Sequence, residues 1–550
     1  MANMTVTWNG KKKTIKPLTS IEDIIGHKNG LEDNPVLAAR VNNKIRELCY
    51  IPNDGDEITT LDLTTNEGNR AYQRGLLHMF VRACHECMPK AKPYVHYSMG
   101  AGLYCEFDAM EISPFDVDRI GRTMRRFVNE DEPFVLSIIT KEQAIDLYRW
   151  IGQQDKARLL GFRQKEDFKI YSCGNYRDYF YGHMPPSTGY LQRFQLVSYN
   201  QGIVLLFPQT KDPLAELEFE PQPKLWHVFR ESERWVTILG CDTVADLDEM
   251  VLRGNLDEFV LINEARHDKE ISSFASAIIE SGARVVLIAG PSSSGKTTFT
   301  QRLRLYLRVN GKNPIMISLD NYYLDRDKIQ PGPDGKLDLE DINTLNLALF
   351  NDHMTQLLKG KEVEMPRFEF AKGKCIRSTG RLLKLGPDDI MLIEGIHGLN
   401  DMLTRSIPRA DKFKIYISAL TQLNLDRNNR IPTTDVRLIR RMVRDYKHRG
   451  ASIEHTLEQW PSVRAGEDKW IFPFQEHCDI MFNSTLVYEL LYLKKYAYPL
   501  LKAVDENTIY FAEANRLVKF LNYFIDPGDE AIIPCTSLLR EFIGGGVFEH

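Results

Sequence analysis

Several signatures of specialised proteins are missing from this chain of 550 residues. No apolar run approaches the roughly 20 residues needed to cross a bilayer, so no helical membrane span is expected. The opening residues Met1-Ala2-Asn3-Met4-Thr5 lack a basic stretch followed by an apolar one, so no secretory signal is expected either. Cysteine is sparse: nine residues, an odd number without regular spacing, do not make a disulfide framework. A reducing cytoplasm is the expected compartment. Charge of one sign is also missing. The net value is only -5, with acids and bases mixed along the chain, which argues against a constitutive nucleic-acid coat or a polybasic membrane anchor. Neither an internal repeat nor a low-complexity tract is present. What remains is ordinary globular composition, 43% hydrophobic and 26% charged, with enough length for roughly three or four domains.

Two short polar-apolar stretches, Met4-Thr5-Val6-Thr7-Trp8 and Lys13-Thr14-Ile15, flank Asn9-Gly10, a pair suited to the positive φ angles of a tight hairpin. Ser20-Ile21-Glu22-Asp23 then predicts a capped helix start. Further extended segments near 36–41 and 57–63 suggest a β-grasp unit over residues 1–66. Residues 226–281 read as a charged, helical connector. Beyond it, Arg284-Val285-Val286-Leu287-Ile288-Ala289 is an unbroken apolar run of the kind a parallel strand buried on both faces requires. Strands are expected again at 314–320, 389–394, 413–418 and 479–483, with helical stretches between them. That alternation predicts a doubly wound α/β sheet.

The segment Gly290-Pro291-Ser292-Ser293-Ser294-Gly295-Lys296-Thr297, followed by Thr298, satisfies the phosphate-binding-loop pattern in full, between a predicted strand and a predicted helix. Its glycines let backbone N–H groups turn toward phosphate oxygens, and the helix N-terminus adds partial positive charge. Lys296 is expected at the β- and γ-phosphates of ATP and Thr297 at magnesium. Asp320 ends one predicted strand and Glu394 another, and strand ends in such sheets face the ligand crevice. A carboxylate placed there can orient and deprotonate an acceptor hydroxyl or assist a metal ion. Arg437, Arg440, Arg441 and Arg444 follow the i, i+3, i+4, i+7 spacing and share one helical face. Like charges so crowded repel unless an anion lies opposite, and guanidinium suits phosphate. A solvated face neutralised by Asp435 and Asp445 is the competing reading. Cys84-His85-Glu86-Cys87 has the spacing of half a zinc site, but no second CxxC exists and the flanking apolar residues read as a buried helical face.

In chain order these elements resemble the uridine kinase and phosphoribulokinase family of P-loop kinases, over residues 284–500. The resemblance implies Asp320 as catalytic base, in Ser318-Leu319-Asp320-Asn321-Tyr322-Tyr323, with Tyr323 in a nucleoside pocket. Asp338, in Leu337-Asp338-Leu339-Glu340-Asp341, matches the acid that holds ribose hydroxyls. Phe368, in Pro366-Arg367-Phe368-Glu369-Phe370, matches the base-contacting aromatic. Glu394-Gly395-Ile396 resembles the metal-associated motif, giving Thr297, Asp320 and Glu394 as metal residues. The arginine helix resembles the family's lid, with Arg441 catalytic, Arg444 toward ATP, and Arg437 and Arg440 toward substrate. Two departures stand out. Gly373 occupies the place of the His that reads the uracil edge in eukaryotic-type members, and a site without its reader discriminates bases poorly. Residues 421–434, before the lid, are longer than usual.

Arg40-Val41-Asn42-Asn43-Lys44 with Gly55-Asp56-Glu57-Ile58 resembles the TGS domain of threonyl-tRNA synthetases. Gly102-Leu103-Tyr104-Cys105-Glu106-Phe107, with Gly174-Asn175-Tyr176-Arg177-Asp178 and Pro186-Ser187-Thr188-Gly189, resembles their second additional domain, the one that edits mischarged tRNA. Of its paired histidines only His78 is present; Arg74 and Phe180 replace the earlier His and the later Cys, and His183 is displaced by one residue. Retained editing is therefore not expected.

The expected architecture is multidomain α/β. A TGS-like β-grasp domain (1–66) precedes an editing-like α+β domain (67–225), a helical connector (226–281), a P-loop kinase domain (282–505) and a C-terminal helical extension (506–550). The expected activity is transfer of the ATP γ-phosphate, with magnesium, to a nucleoside 5′-hydroxyl, uridine first. The open alternatives are another small-molecule acceptor, or a non-catalytic, nucleotide-gated regulator that contacts RNA or tRNA through the N-terminal half. Oligomeric state is not legible.

Overall fold

A computed structural model describes residues 3–26, 33–108, 110–163, 165–330, 338, 340–369 and 372–548. Leu337 and Leu339, which flank Asp338, and Phe370 lie outside the described residues. Among those described, no helix is long and apolar enough to cross a membrane.

The first hairpin forms where expected. Strands Met4–Trp8 and Lys11–Ile15 pair antiparallel through Asn9 and Gly10, both at positive φ (45° and 79°), as a two-residue turn requires. Ser20 caps the helix Ile21–Ile25 in a closed capping box with Asp23. Three more strands complete a five-stranded sheet in which Met4–Trp8 and Glu57–Leu61 run parallel side by side. Residues 66–206 then form the long helix Asn66–Cys87 and two antiparallel sheets, of four and three strands. Cys84 faces the core of that helix, and Cys87 Sγ lies 3.2 Å from Thr123 Oγ1. Among the described residues no group of three or more His, Cys, Asp or Glu side chains is placed to hold a metal ion.

Three helices, Pro223–Ile238, Val244–Leu252 and Leu256–Ser281, lead into a parallel sheet. Its strands are β1 (Val285–Ala289), β2 (Asn313–Ser318), β3 (Asp389–Glu394), β4 (Lys412–Ser418) and β5 (Ile480–Asn483), in the order β2-β3-β1-β4-β5 with every neighbour parallel. The longer helices of this half are α1 (Lys296–Val309), α2 (Leu347–Leu358), α3 (Thr433–Arg449), α4 (Ile453–Trp470), α5 (Glu489–Lys502) and α6 (Phe511–Leu521), and a short one follows at Arg540–Ile543. Alternate residues of β1 enter different cores: Val286 and Ile288 join one cluster, Val285 and Leu287 another. Burial on both faces explains why this strand shows no polar alternation.

The long stretch before α3 has a packing role. Residues Asn424–Asp426 and Asn429–Arg430 form a small hairpin that docks on the N-terminal half. The Val95 N–H donates to the Arg427 carbonyl at 2.8 Å, and Asn428 Nδ2 donates to Asp178 at 3.0 Å. Lys156, buried at the same junction, pairs with Asp178 and lies 3.9 Å from Asp426. The principal hydrophobic cluster runs from Ala144 and Tyr148 through to Phe542 and Ile543, so one core is shared by both halves.

Candidate active site

The loop at 290–297 leaves the C-terminal end of β1 and turns into α1 with a geometry that admits little but its own residues. A Cβ on Gly290 would stand 2.0 Å from the Ile417 carbonyl oxygen, and Gly295 sits at φ +83° against Leu538. Ser293 also occupies the left-handed region, at φ 59°. Left-handed residues of this kind let a loop turn backbone N–H groups toward a phosphate. Lys296 Nζ folds back on the loop, donating to the carbonyls of Gly290 (2.8 Å) and Pro291 (3.1 Å). Burial lowers its pKa, while Glu394 and Glu541 pull it back up.

Glu394 ends β3 beside the loop and accepts a hydrogen bond from the Thr297 hydroxyl at 3.0 Å. The donor set fits a magnesium ion: a hydroxyl and a carboxylate, both hard oxygen ligands, next to a phosphate cradle. Burial pushes the Glu394 carboxyl up to about 7, with Glu541 and Asp320 adding to the rise and Lys296 and Thr297 opposing it. Asp320, just past β2, keeps solvent-accessible surface, yet nearby protein desolvates its carboxyl. Burial raises its pKa, and the charges of Lys296 and Arg449 draw it down. Lys296, Glu394 and Asp320 thus form one mutually interacting set. Among the described residues the Asp320 carboxylate accepts no hydrogen bond; its backbone N–H donates to Ser318 Oγ at 3.3 Å.

Next to Asp320 stands an aromatic pair. The rings of Tyr323 and Phe368 are 5.7 Å apart and tilted by 60°, and the Phe368 N–H donates to Asn321 Oδ1 at 3.2 Å. Burial raises the Tyr323 hydroxyl pKa, helped by the nearby charges of Asp320 and Glu340. Asp338 is exposed and accepts from the Glu340 N–H at 3.1 Å. Burial lifts the Glu340 carboxyl to about 7; Glu467 adds to the rise, and Arg441 and Lys296 oppose it. At Gly373, φ is +63° and a Cβ would stand 2.5 Å from Arg326 Cδ. The turn itself demands glycine there, so this position offers no side chain to a base.

The four arginines divide. Arg437 and Arg440 are fully buried. Arg437 pairs with Glu467 and donates through Nε to the Ser292 carbonyl at 3.0 Å. Arg440 pairs with Glu489 and donates to the Ser293 carbonyl at 3.3 Å and to Ser484. Expected to meet substrate, both instead brace the back of the phosphate loop, because carboxylates from α4 and α5 supply the anions their crowding demands. Arg441 reaches Ser292 Oγ at 3.0 Å, and Arg441, Arg444 and Arg449 gather around Asp445 at 3.0–3.3 Å. Most of α3 is core, so the expected lid is a packed helix.

Two acids at this site carried no sequence-based role. Glu467 accepts from the Ser292 N–H at 2.8 Å, and Glu541 accepts from the Thr298 N–H at 3.1 Å. Both sit on backbone donors of the loop from 175 and 243 residues away, beyond the reach of any local pattern. In the N-terminal half His78 is fully buried, with Phe134, Tyr176 and Phe180 around it, and burial drives its pKa down to about 4.

Residues 285–489 match the family described as Phosphoribulokinase / Uridine kinase family. The uridine kinase of Bacillus pumilus (strain SAFR-032) is 30% identical over 206 residues, covering 36% of this chain and 84% of that protein. The chain belongs to this family. Its other half is similar to different proteins. The threonine–tRNA ligase of Thermoplasma volcanium is 23% identical over 255 residues, and that of Carboxydothermus hydrogenoformans 27% over 164. These matches fall in the N-terminal part and cover 46% and 30% of this chain, but only 34% and 26% of the two ligases. The family assignment makes the parallel-sheet unit a P-loop kinase within a multidomain α/β protein.

Proposed function

We propose that this chain is an ATP-dependent nucleoside kinase that phosphorylates a 5′-hydroxyl, with uridine the first substrate to test. The carrying observation is that Lys296, Asp320 and Glu394 stand close enough to interact electrostatically beside the loop, with the Tyr323–Phe368 pair next to Asp320. Residues 290–298 would cradle the ATP phosphates, and Lys296 would neutralise charge developing on the transferred group. Thr297 and Glu394, assisted by Asp320, would hold magnesium, which supplies charge neutralisation at the phosphate oxygens. Asp320 would orient the acceptor hydroxyl and take its proton as the new O–P bond forms and the γ-phosphate leaves ADP. Tyr323 and Phe368 would enclose the base and Asp338 the ribose hydroxyls. Arg441 and Arg444, together with Arg449, would be the guanidiniums that meet the migrating phosphoryl, while Arg437 and Arg440 would act by holding the loop. With glycine at 373, selectivity among bases is expected to be weak.

For the N-terminal half we propose the divisions 1–66, TGS-like β-grasp, and 67–225, editing-like α+β, followed by the connector 226–281, the kinase domain 282–505 and the extension 506–550. Hydrolytic editing is not part of this reading, since His78 is shut from solvent. A panel of nucleosides and phosphorylated sugars incubated with γ-labelled ATP, with product position read by phosphorus NMR, tests the proposal. Label on a nucleoside 5′-oxygen supports it. Transfer only to a non-nucleoside, or tight tRNA binding without any turnover, rejects it.

A further inference from the structure

A cavity of about 1120 Å³ lies away from the phosphate loop, between the first sheet, the editing-like region and α6. It exceeds the usual range of small-molecule sites, about 300–1,000 Å³, so a whole nucleotide fits. Its lining is strongly biased in charge, ten lysine and arginine residues against four carboxylates. Three of the ten are paired with carboxylates: Arg70 and Arg516 both bind Glu513, Arg516 also binds Asp435, and Lys44 binds Glu506. Among the described residues, Arg46, Arg74, Arg163, Lys165, Lys169 and Lys519 pair with no carboxylate.

The cost of that arrangement is visible in the groups themselves. Burial lowers the Arg74 pKa to about 10, and repulsion from Arg70 and Arg516 adds to the fall. Lys519 is lowered by burial and then by Lys169, Lys165, Arg163 and Arg46, all like charges. Cations gathered into a concavity without counter-ions raise the local concentration of anions and are stabilised by them. The same wall carries Phe162, Tyr181, Tyr498 and Phe511, none of them fully buried, flat surfaces on which a base can stack. Its geometry is held rigidly: a Cβ on Gly182, at φ +130°, would stand 2.2 Å from Arg74 Cζ, and the Arg74 guanidinium donates to the His183 carbonyl at 2.8 Å.

We propose that this cavity is a second nucleotide site, for a free nucleoside triphosphate whose phosphates meet Arg74, Arg163 and Lys519 and whose base meets the aromatic wall. A triphosphate matches the surplus of charge better than a monophosphate does. The site is physically continuous with the kinase. Arg516 in its wall makes a two-pronged bond, at 2.6 and 2.8 Å, with Asp435 in the first turn of α3, the helix whose Arg437 and Arg440 brace the phosphate loop.

The test reads binding, not turnover, so it is independent of whether the chain phosphorylates a nucleoside. In full-length protein carrying Lys296→Ala, calorimetric titrations with UTP, ATP, UMP and inorganic triphosphate are compared. Saturable triphosphate binding is expected, tighter than that of UMP, and weakened about tenfold or more by Lys519→Glu. Lys169→Glu, on an exposed strand position, gives the same direction without a folding risk. Triphosphate binding indifferent to both substitutions overturns the proposal. So does binding confined to an RNA with a single-stranded 3′ end, with no response to the free nucleotides.

Discussion

Replacing Arg440 and Arg441 one at a time should separate two functions that their adjacency hides. Arg440 is completely buried, bonded to Glu489 through two nitrogens and to the Ser293 carbonyl. Arg440→Met leaves Glu489 in the core without its cation. Burial already raises the Glu489 pKa and Arg440 is what opposes it, so that carboxyl would take up a proton. Removing one partner of a buried pair costs about 3–5 kcal/mol, and proton uptake trims this toward the lower figure. Arg441→Met is different. Asp445 keeps Arg444 at 3.0 Å and Arg449 at 3.3 Å, so the fold loses about 1 kcal/mol, the worth of an ordinary hydrogen bond. If Arg441 stabilises charge on the migrating phosphoryl, its loss should lower kcat roughly a hundred- to a thousandfold, the effect of deleting one transition-state donor. Denaturant midpoints and kcat measured on the same preparations decide the matter. An Arg440→Met protein as stable as the parent, or an Arg441→Met protein with undiminished kcat, would refute the division of roles.

Other outcomes follow from the acids around the loop. Glu394, with a pKa near 7, must lose its proton to support magnesium, so the magnesium concentration needed for half-maximal rate should rise as pH falls below 7, approaching tenfold per unit, and Glu394→Gln should abolish that slope. Glu541 occupies the Thr298 N–H that a nucleotide phosphate would use; Glu541→Gln keeps the shape, removes the competing charge, and should lower KM for ATP about tenfold, by the worth of roughly 1.5 kcal/mol for a hydrogen bond to a charged group. An unchanged or higher KM counts against that contact as a competitor.

Much of the catalytic half was legible because its signals are local. The loop pattern, the apolar run of β1 and the acids closing β2 and β3 each depend on neighbours in sequence, and strand ends in a parallel sheet point to one crevice whatever the rest of the chain does. The arginine helix shows where local reasoning stops. Periodicity put four guanidiniums on one face and required anions opposite, and anions are there. They are Glu467, Glu489 and Asp445, supplied partly by helices that sequence spacing cannot bring near. Residues 421–434 show in sequence only as a longer stretch than usual before the lid, while in the structure they weld the two halves, through contacts as distant in sequence as Val95 with Asn424. Glu541 escaped notice for the same reason: a carboxylate in a C-terminal segment has no local mark of its partner on α1.

The most direct measurement is the rate of γ-phosphate transfer to uridine by Asp320→Asn beside the parent chain, with ATP binding measured in parallel. Loss of the proposed base should reduce transfer by roughly 10²–10⁴-fold while ATP still binds. Transfer at the parent rate would contradict the assignment of Asp320, and with it the cleft on which the proposed chemistry depends.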